Sequence, residues 1–163
     1  MKIKFFTTGG TIDKVYFDAK SEFEVGPPQV VELLRDANVT FEYEVESVLR
    51  KDSLDLTDAD RALIRERVAA DAAKHIVITH GTDTMIQTAL ALREISGKTI
   101  VLTGSMQPAL LRVTDAGFNL GAAVMAAQIL PPGIYIAMNG QIFNPQTSRK
   151  NVAKHCFEGA IEL

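Results

Sequence analysis

Apolar residues along the chain fall into two alternating kinds of segment. Short runs such as KIKFFTT, HIVIT, TIVLT and GIYIAM are rich in Ile, Val, Phe and Thr, and TFEYEVESVL adds a longer one. Between them lie VVELLRDA, DADRALIRERVAADAA, MIQTALALREI and AGFNLGAAVMAAQIL, whose apolar residues recur at helical spacing. The first kind predicts strands and the second helices. Strand-like runs that alternate with helices call for a mostly parallel sheet covered on both faces, an α/β fold with a single doubly wound sheet. The punctuation agrees: Pro27 and Pro28 sit at a helix start, Thr57 and Asp60 form a capping pair, and Gly97 follows a helix ending near Ile95. Nothing in composition splits the chain, so residues 1–163 read as one domain.

Three of the apolar runs end alike. FFTTGGT, IVITHGT and IVLTGSM each pass from a strand into threonine followed closely by glycine. In a parallel α/β sheet these are carboxyl ends of strands, where ligands bind at the point where strand order reverses. Three such ends are expected to converge on one pocket. Glycine there lets backbone N–H groups approach a ligand, which makes Gly10 and Gly81 substrate-binding candidates, together with Ser105 of the third run. Helices beginning near Asp83 and Asp115 would add positive dipole ends suited to a carboxylate or an oxyanion.

Composition narrows the chemistry. An apolar content of 47% over 163 residues supports a core without disulfides or metal. The net charge of −3 is spread over interspersed acids and bases, with no basic stripe for nucleic acid and no polycationic face for a membrane. Cys156 is the single cysteine and has no internal disulfide partner. MKIKFFTTGG turns polar too soon for a signal-peptide core or a membrane span, so a cytoplasmic protein is expected.

A threonine hydroxyl becomes a nucleophile only with a nearby base that is itself oriented. TGGT supplies Thr8 and Thr11, and GTDT supplies Thr82, Asp83 and Thr84 at a strand-to-helix turn. The plainer alternative is that Thr82 or Asp83 merely caps the following helix, and that Thr11 is a turn residue. His80 is a candidate base, although a lone histidine beside a strand end reads first as a packed, hydrogen-bonded residue that shapes the turn. No further ligand lies at metal-binding spacing from it, and Cys156 with His155 and Glu158 lacks the paired pattern of a zinc site, so no metal is expected. TTGGT has neither the Gly-Lys-Ser/Thr of a phosphate loop nor the spacing of a dinucleotide fingerprint, and no cofactor is expected.

TTGGTID and ITHGTDTM together resemble the two signatures of the bacterial-type L-asparaginase/glutaminase family. DSLDLT at 52–57, LTGSMQP at 102–108, DAGFNL at 115–120 and MNGQIFNPQTSRK at 138–150 match further, in order. The resemblance spans nearly the whole chain and corresponds to the family's larger, amino-terminal α/β domain; residues matching its carboxyl-terminal domain are not expected within 1–163. It implies that Thr11 is the primary nucleophile, attacking a side-chain amide to form an acyl-enzyme, and that Thr82, Asp83 and Lys150 form a second threonine-aspartate-lysine set. Within such a set a lysine that loses its proton serves as base for a hydroxyl, while the carboxylate orients it and binds the substrate's ammonium group. Taken alone, Lys150 in SRKN reads as a solvated surface charge. Ser53 resembles the serine that binds the substrate carboxylate, with an ordinary loop serine as the alternative. The Thr11 backbone N–H is expected in an oxyanion hole, where one donor is worth about 3 kcal/mol of barrier. The segment after TGGT is expected to form a lid.

Three positions depart from the family pattern. Phe23 in SEFEVG occupies the best match to the lid tyrosine, leaving Tyr16 as the other aromatic hydroxyl in the segment. Asp13 puts an acid where the family carries a small residue after TGGTI. The chain stops at FEGAIEL, where the second domain and its acidic substrate contact would follow; Glu158 or Glu162 of a partner copy is the nearest substitute. The leading expectation is an amidohydrolase that releases ammonia from L-asparagine or a related small amide. The alternative is a binding module for small amino acids and carboxylates. A homo-oligomer is expected in either case, and one methylene in a small pocket, worth about 1–3 kcal/mol, is too little to separate asparagine from glutamine by sequence.

Overall fold

The structure is a computed structural model that describes residues 1–159, so Glu162 lies outside it. Strand β1 (Lys2–Gly9) lies one strand in from the edge of a six-stranded sheet and is buried at every position from Ile3 onward. It pairs in parallel with β4 (Glu42–Lys51) on one side and β5 (His75–Thr79) on the other. Parallel pairing continues from β5 to β6 (Thr99–Thr103) and then to β7 (Gly133–Met138). The antiparallel β8 (Gln141–Phe143) closes that edge through a turn at Asn139 and Gly140, whose φ angles of 54° and 74° suit a two-residue hairpin. The order β4-β1-β5-β6-β7-β8 reverses direction at β1, the topological switch point of a doubly wound sheet.

Period-two alternation distributes side chains to two cores. Phe6, Ile76, Ile78, Ile100, Leu102, Ile136 and Met138 share one core with Ile64 and Val68 of α2 (Asp58–Ala70) and Met85 and Ala89 of α3 (Met85–Ala91). Phe5, Val77, Val101 and Ala137 share the other with Val30 and Leu34 of α1 (Val30–Asp36) and Leu120, Ala123 and Ala127 of α4 (Ala116–Ile129). Uninterrupted apolar strands are thus explained by burial on both faces. Where β1 meets the edge strand β4, Lys4 is nearly buried and is neutralised by Glu44, Glu46 and Asp71, at 3.0, 3.2 and 3.4 Å. Each carboxylate comes from β4 or the end of α2, so the ion cluster ties three segments together without leaving an unpaired buried charge.

The expected capping box of α2 is present, with the Thr57 hydroxyl accepting from the Asp60 N–H and the Asp60 carboxylate accepting from the Thr57 N–H. Helix α1 starts at Val30, just after the two prolines. Helix α3 is shorter than its apolar pattern predicts. It ends at Ala91, and the chain tightens into three-residue turns through Leu92, Arg93 and Ile95 before Gly97, which takes φ 72°. Two short ribbons have no counterpart in the apolar pattern. One joins β2 (Lys14–Phe17) to β3 (Glu22–Val25) and the other joins β9 (Arg149–Asn151) to β10 (Cys156–Glu158).

Two glycines predict opposite stability changes. Gly121 lies on the exposed side of α4 with nothing within 4 Å of an added Cβ, so Gly121→Ala is expected to stabilise by about 0.5–1 kcal/mol. At Gly104 the same atom would stand 2.2 Å from the carbonyl oxygen of His80, and Gly104→Ala is expected to destabilise by about 1–3 kcal/mol. Urea unfolding of both variants measures the contrast.

Candidate active site

Backbone contact between strand ends builds the site. Gly10, at φ 86°, presents its face to the next strand end so closely that a Cβ would lie 2.3 Å from the Gly81 nitrogen. A Cβ on Gly81 would in turn meet the Ser53 hydroxyl at 2.6 Å. The loops after β1 and β5 therefore abut main chain to main chain and the loop after β4 packs its Ser53 side chain on Gly81, which requires glycine at both contacts. Thr11 follows Gly10 at the start of a short 3₁₀ turn, half-buried, and among the described residues its hydroxyl makes no hydrogen bond. The loop after β6 joins the same rim, since the Ala109 N–H donates to the Ile12 carbonyl at 3.2 Å.

Thr82 and Asp83 precede α3 without capping it. The capping position belongs to Thr84, whose hydroxyl instead donates to the Ser53 carbonyl at 2.7 Å. Freed from the helix, Thr82 and Asp83 both reach Lys150. Its ammonium donates to the Thr82 hydroxyl at 2.7 Å and to the Asp83 carboxylate at 2.5 Å. The lysine side chain is 14% exposed, so the pair is partly desolvated, and the reading of Lys150 as a solvated charge does not hold. The Thr82 hydroxyl also lies 3.8 Å from the Met106 sulfur.

The remaining candidates divide. Ser53 is 1% exposed, its hydroxyl has no partner among the described residues, and it backs directly onto Gly81. Ser105 is equally buried but donates to the Gln107 carbonyl at 2.5 Å, so its side chain shapes its own loop. Glu158 is likewise occupied: the Asn151 amide and the Arg149 guanidinium hold its carboxyl down at about 2 and tie it into the β9–β10 ribbon. Tyr16 and Phe23 are cross-strand neighbours on the β2–β3 ribbon, with ring centroids 5.5 Å apart, both exposed. Among the described residues, no cluster of three or more His, Cys, Asp or Glu side chains offers a metal site.

His80 is fully buried. The Gly81 carbonyl accepts from Nδ1 at 2.7 Å, which leaves Nε2 to accept from the Thr88 hydroxyl at 2.8 Å. Burial lowers its pKa to about 4, so it is a neutral strut at the turn, as the plainer reading anticipates. Asp13 is 2% exposed. Burial pushes its carboxyl up to about 6 against the opposing effects of the Gln29 N–H, which donates to it at 2.8 Å, and of the Arg50 charge. The acid at this position therefore ties the turn after Thr11 to the start of α1.

Asp115 has a role that reading it as a helix start misses. Its carboxylate accepts from the Met106 N–H at 2.9 Å and from the Gln107 N–H at 3.0 Å, and so folds back over the loop after β6 instead of capping α4. The sequence signal is an aspartate eight or nine residues after a strand-end serine-methionine-glutamine, too irregular a spacing to identify alone.

Residues 2–158 match the family described as "Asparaginase, N-terminal". A glutaminase-asparaginase from Acinetobacter glutaminasificans is 34% identical over 141 residues, covering 80% of this chain and 40% of the relative. A subunit of the glutamyl-tRNA(Gln) amidotransferase from Methanococcus vannielii is 42% identical over 81 residues, 48% of this chain and 19% of the relative. Among solved structures, the thermostable L-asparaginase from Thermococcus kodakarensis superposes with a TM-score of 0.82 at 30% identity, over 98% of this chain and 51% of that one. With the fold, the strand-end glycines and the Thr82–Asp83–Lys150 set in place, the match over nearly every described residue establishes that the chain belongs to the asparaginase family, in its amino-terminal part. It spans about half the length, or less, of these relatives.

The two buried titrating groups oppose each other. The folded Asp13 keeps its proton to a higher pH than the ordinary 3.8, so its contribution to stability falls as pH rises from about 4 to 6. The folded His80 releases its proton at a lower pH than the ordinary 6.5, so its contribution is lost as pH falls from about 6.5 to 4. Replacing the acid unmasks the histidine. Between pH 4 and 7 the stability of Asp13→Asn relative to wild type is expected to rise by up to about 3 kcal/mol, and the variant should lose stability on acidification more steeply. Chemical denaturation at a series of pH values reads both slopes.

Proposed function

We propose that the chain is the nucleophile-bearing part of an amidohydrolase that cleaves the side-chain amide of L-asparagine or a related small amide. The observation that carries this reading is the Lys150 ammonium lying 2.7 Å from the Thr82 hydroxyl and 2.5 Å from the Asp83 carboxylate, on the rim that also holds Thr11. An ammonium held between a hydroxyl and a carboxylate in a partly dry site has the connections that a proton relay needs. Lys150 in its neutral form accepts a proton, Thr82 passes it between the lysine and the reacting groups, and Asp83 orients the amine and binds the substrate's ammonium.

In the first half-reaction the Thr11 oxygen attacks the amide carbon and its proton leaves through the relay. The C–N bond then breaks and the nitrogen departs as ammonia once protonated. In the second, water attacks the Thr11 ester and restores the hydroxyl, releasing the amino acid. The Gly10 N–H is spent on the Lys51 carbonyl at 2.9 Å, so the N–H groups of Thr11 and Gly81 are the main-chain donors this reading assigns to a developing oxyanion. The unpartnered Ser53 hydroxyl beside Gly81 suits a substrate carboxylate, and Ser105 holds the neighbouring loop in shape. The β2–β3 ribbon, which follows Thr11 directly, serves as the lid and brings Tyr16 with it.

The names of the relatives support amide hydrolysis and leave asparagine and glutamine as the two substrates to compare. A homo-oligomer accords with the apolar stripe of Phe118, Met125 and Ile129, exposed along one side of α4.

Incubation of the purified chain with asparagine is expected to release ammonia. Thr11→Ala and Lys150→Met should each lower kcat by about 10²–10⁴-fold, with folding checked by circular dichroism. Turnover that persists in both Thr11→Ala and Thr82→Val would overturn the assignment.

A further inference from the structure

Lys150 sits on a three-residue strand at the periphery, yet its amine is placed to within hydrogen-bonding distance of two side chains from the sheet. A continuous path of side-chain to main-chain bonds through two asparagines leads from the sheet to that strand. Asn119, 1% exposed on α4, donates from Nδ2 to the Gly104 carbonyl at 3.0 Å and to the Asp115 carboxylate at 2.8 Å. Its Oδ1 accepts from the Asn139 N–H at 3.2 Å. The Asn139 side chain then accepts from the Phe157 N–H at 3.0 Å. Phe157 is the direct cross-strand partner of Lys150 in the β9–β10 ribbon.

This path has three physical consequences. The Phe157 N–H is spent on Asn139, so the Phe157–Lys150 pair is of the non-hydrogen-bonded kind, in which side chains approach most closely. The Phe157 ring is buried in the α2–α3 core, 5.8 Å from that of Phe143, which fixes the ribbon's depth. Asn139 is also the residue at φ 54° in the β7–β8 turn, a conformation that asparagine and aspartate tolerate better than other side-chain-bearing residues. The path closes on itself. Asp115, bonded to Asn119, holds the Met106 N–H, and the Met106 sulfur meets the Thr82 hydroxyl that Lys150 touches.

We propose that Asn119 and Asn139 are positioning residues for Lys150, locking the ribbon that carries it to the loop that packs against Thr82. They touch neither Lys150 nor Thr82 and act through Phe157 and Asp115. The inference about placement stands on geometry, and its kinetic consequence rests on the function proposed above.

Asn139 permits a clean contrast. Asn139→Gly keeps the positive φ and the main-chain N–H to Asn119 but removes the acceptor for Phe157. Asn139→Asp keeps both the turn and the acceptor. Crystal structures of the two variants test placement without turnover. In Asn139→Gly the Lys150 amine is expected to leave hydrogen-bonding reach of Thr82, whereas in Asn139→Asp it stays. Steady-state kinetics with asparagine should show kcat lowered at least tenfold in Asn139→Gly with KM within about twofold, and near wild-type values in Asn139→Asp. An Asn139→Gly structure with the Lys150–Thr82 contact intact overturns the inference, whatever the activity. Loss of the contact with undiminished kcat would count against Lys150 in the reaction and leave its placement by Asn139 standing.

Discussion

Glycine pressed against neighbouring loops at the carboxyl ends of the strands is the constraint from which the rest of the site follows. Gly10 meets Gly81, Gly81 meets Ser53, and Gly104 meets the His80 carbonyl, each at distances that leave no room for a Cβ. These contacts put the loops after β1, β4, β5 and β6 on one rim. They also leave little space for larger side chains, so threonine, serine and glycine dominate there. The buried His80 belongs to the same arrangement: held by the Gly81 carbonyl and the Thr88 hydroxyl, it braces the turn from below as a neutral ring.

Thr82, Asp83 and Lys150 stand above that rim on short extensions. Thr82 and Asp83 are adjacent in sequence and would diverge on a helix, yet both contact one amine because α3 begins only after them. Lys150 comes from the opposite end of the chain. Its ribbon is held by Glu158 to Arg149 and Asn151, by the Phe157 ring in the core and by the Asn139 acceptor. Rigid backbone below and several independent anchors above are what hold three side chains from two distant segments within bonding distance.

The fold was largely legible because its strands are buried on both faces, so each announces itself as an unbroken apolar run. The helices were legible in existence and less so in extent: α3 gives way to tighter turns at Leu92, where the apolar pattern continues but the hydrogen bonding changes. The ribbons escaped because residues 14–25 and 149–158 are short, largely exposed and polar, with little periodicity to read. Asn139-Gly140 between two apolar runs was a readable hairpin signal for β8. Within the site, GTDT and TGGT stood out by composition, whereas Lys150 was indistinguishable from a surface lysine except through family resemblance. The bonds that Asp115, Asn119 and Asn139 make were not legible, because most of their partners are main-chain groups that any residue supplies.

The pairing of Lys150 with Asp83 also bears on how a substrate would arrive. An amine and a carboxylate 2.5 Å apart form a compact dipole, whose potential decays with distance faster than that of a lone charge. Beyond a few ångströms this pair by itself therefore adds almost no net field for an incoming small molecule. Capture by such a pair depends on collision and fit, and its effect on the association rate should be nearly indifferent to ionic strength.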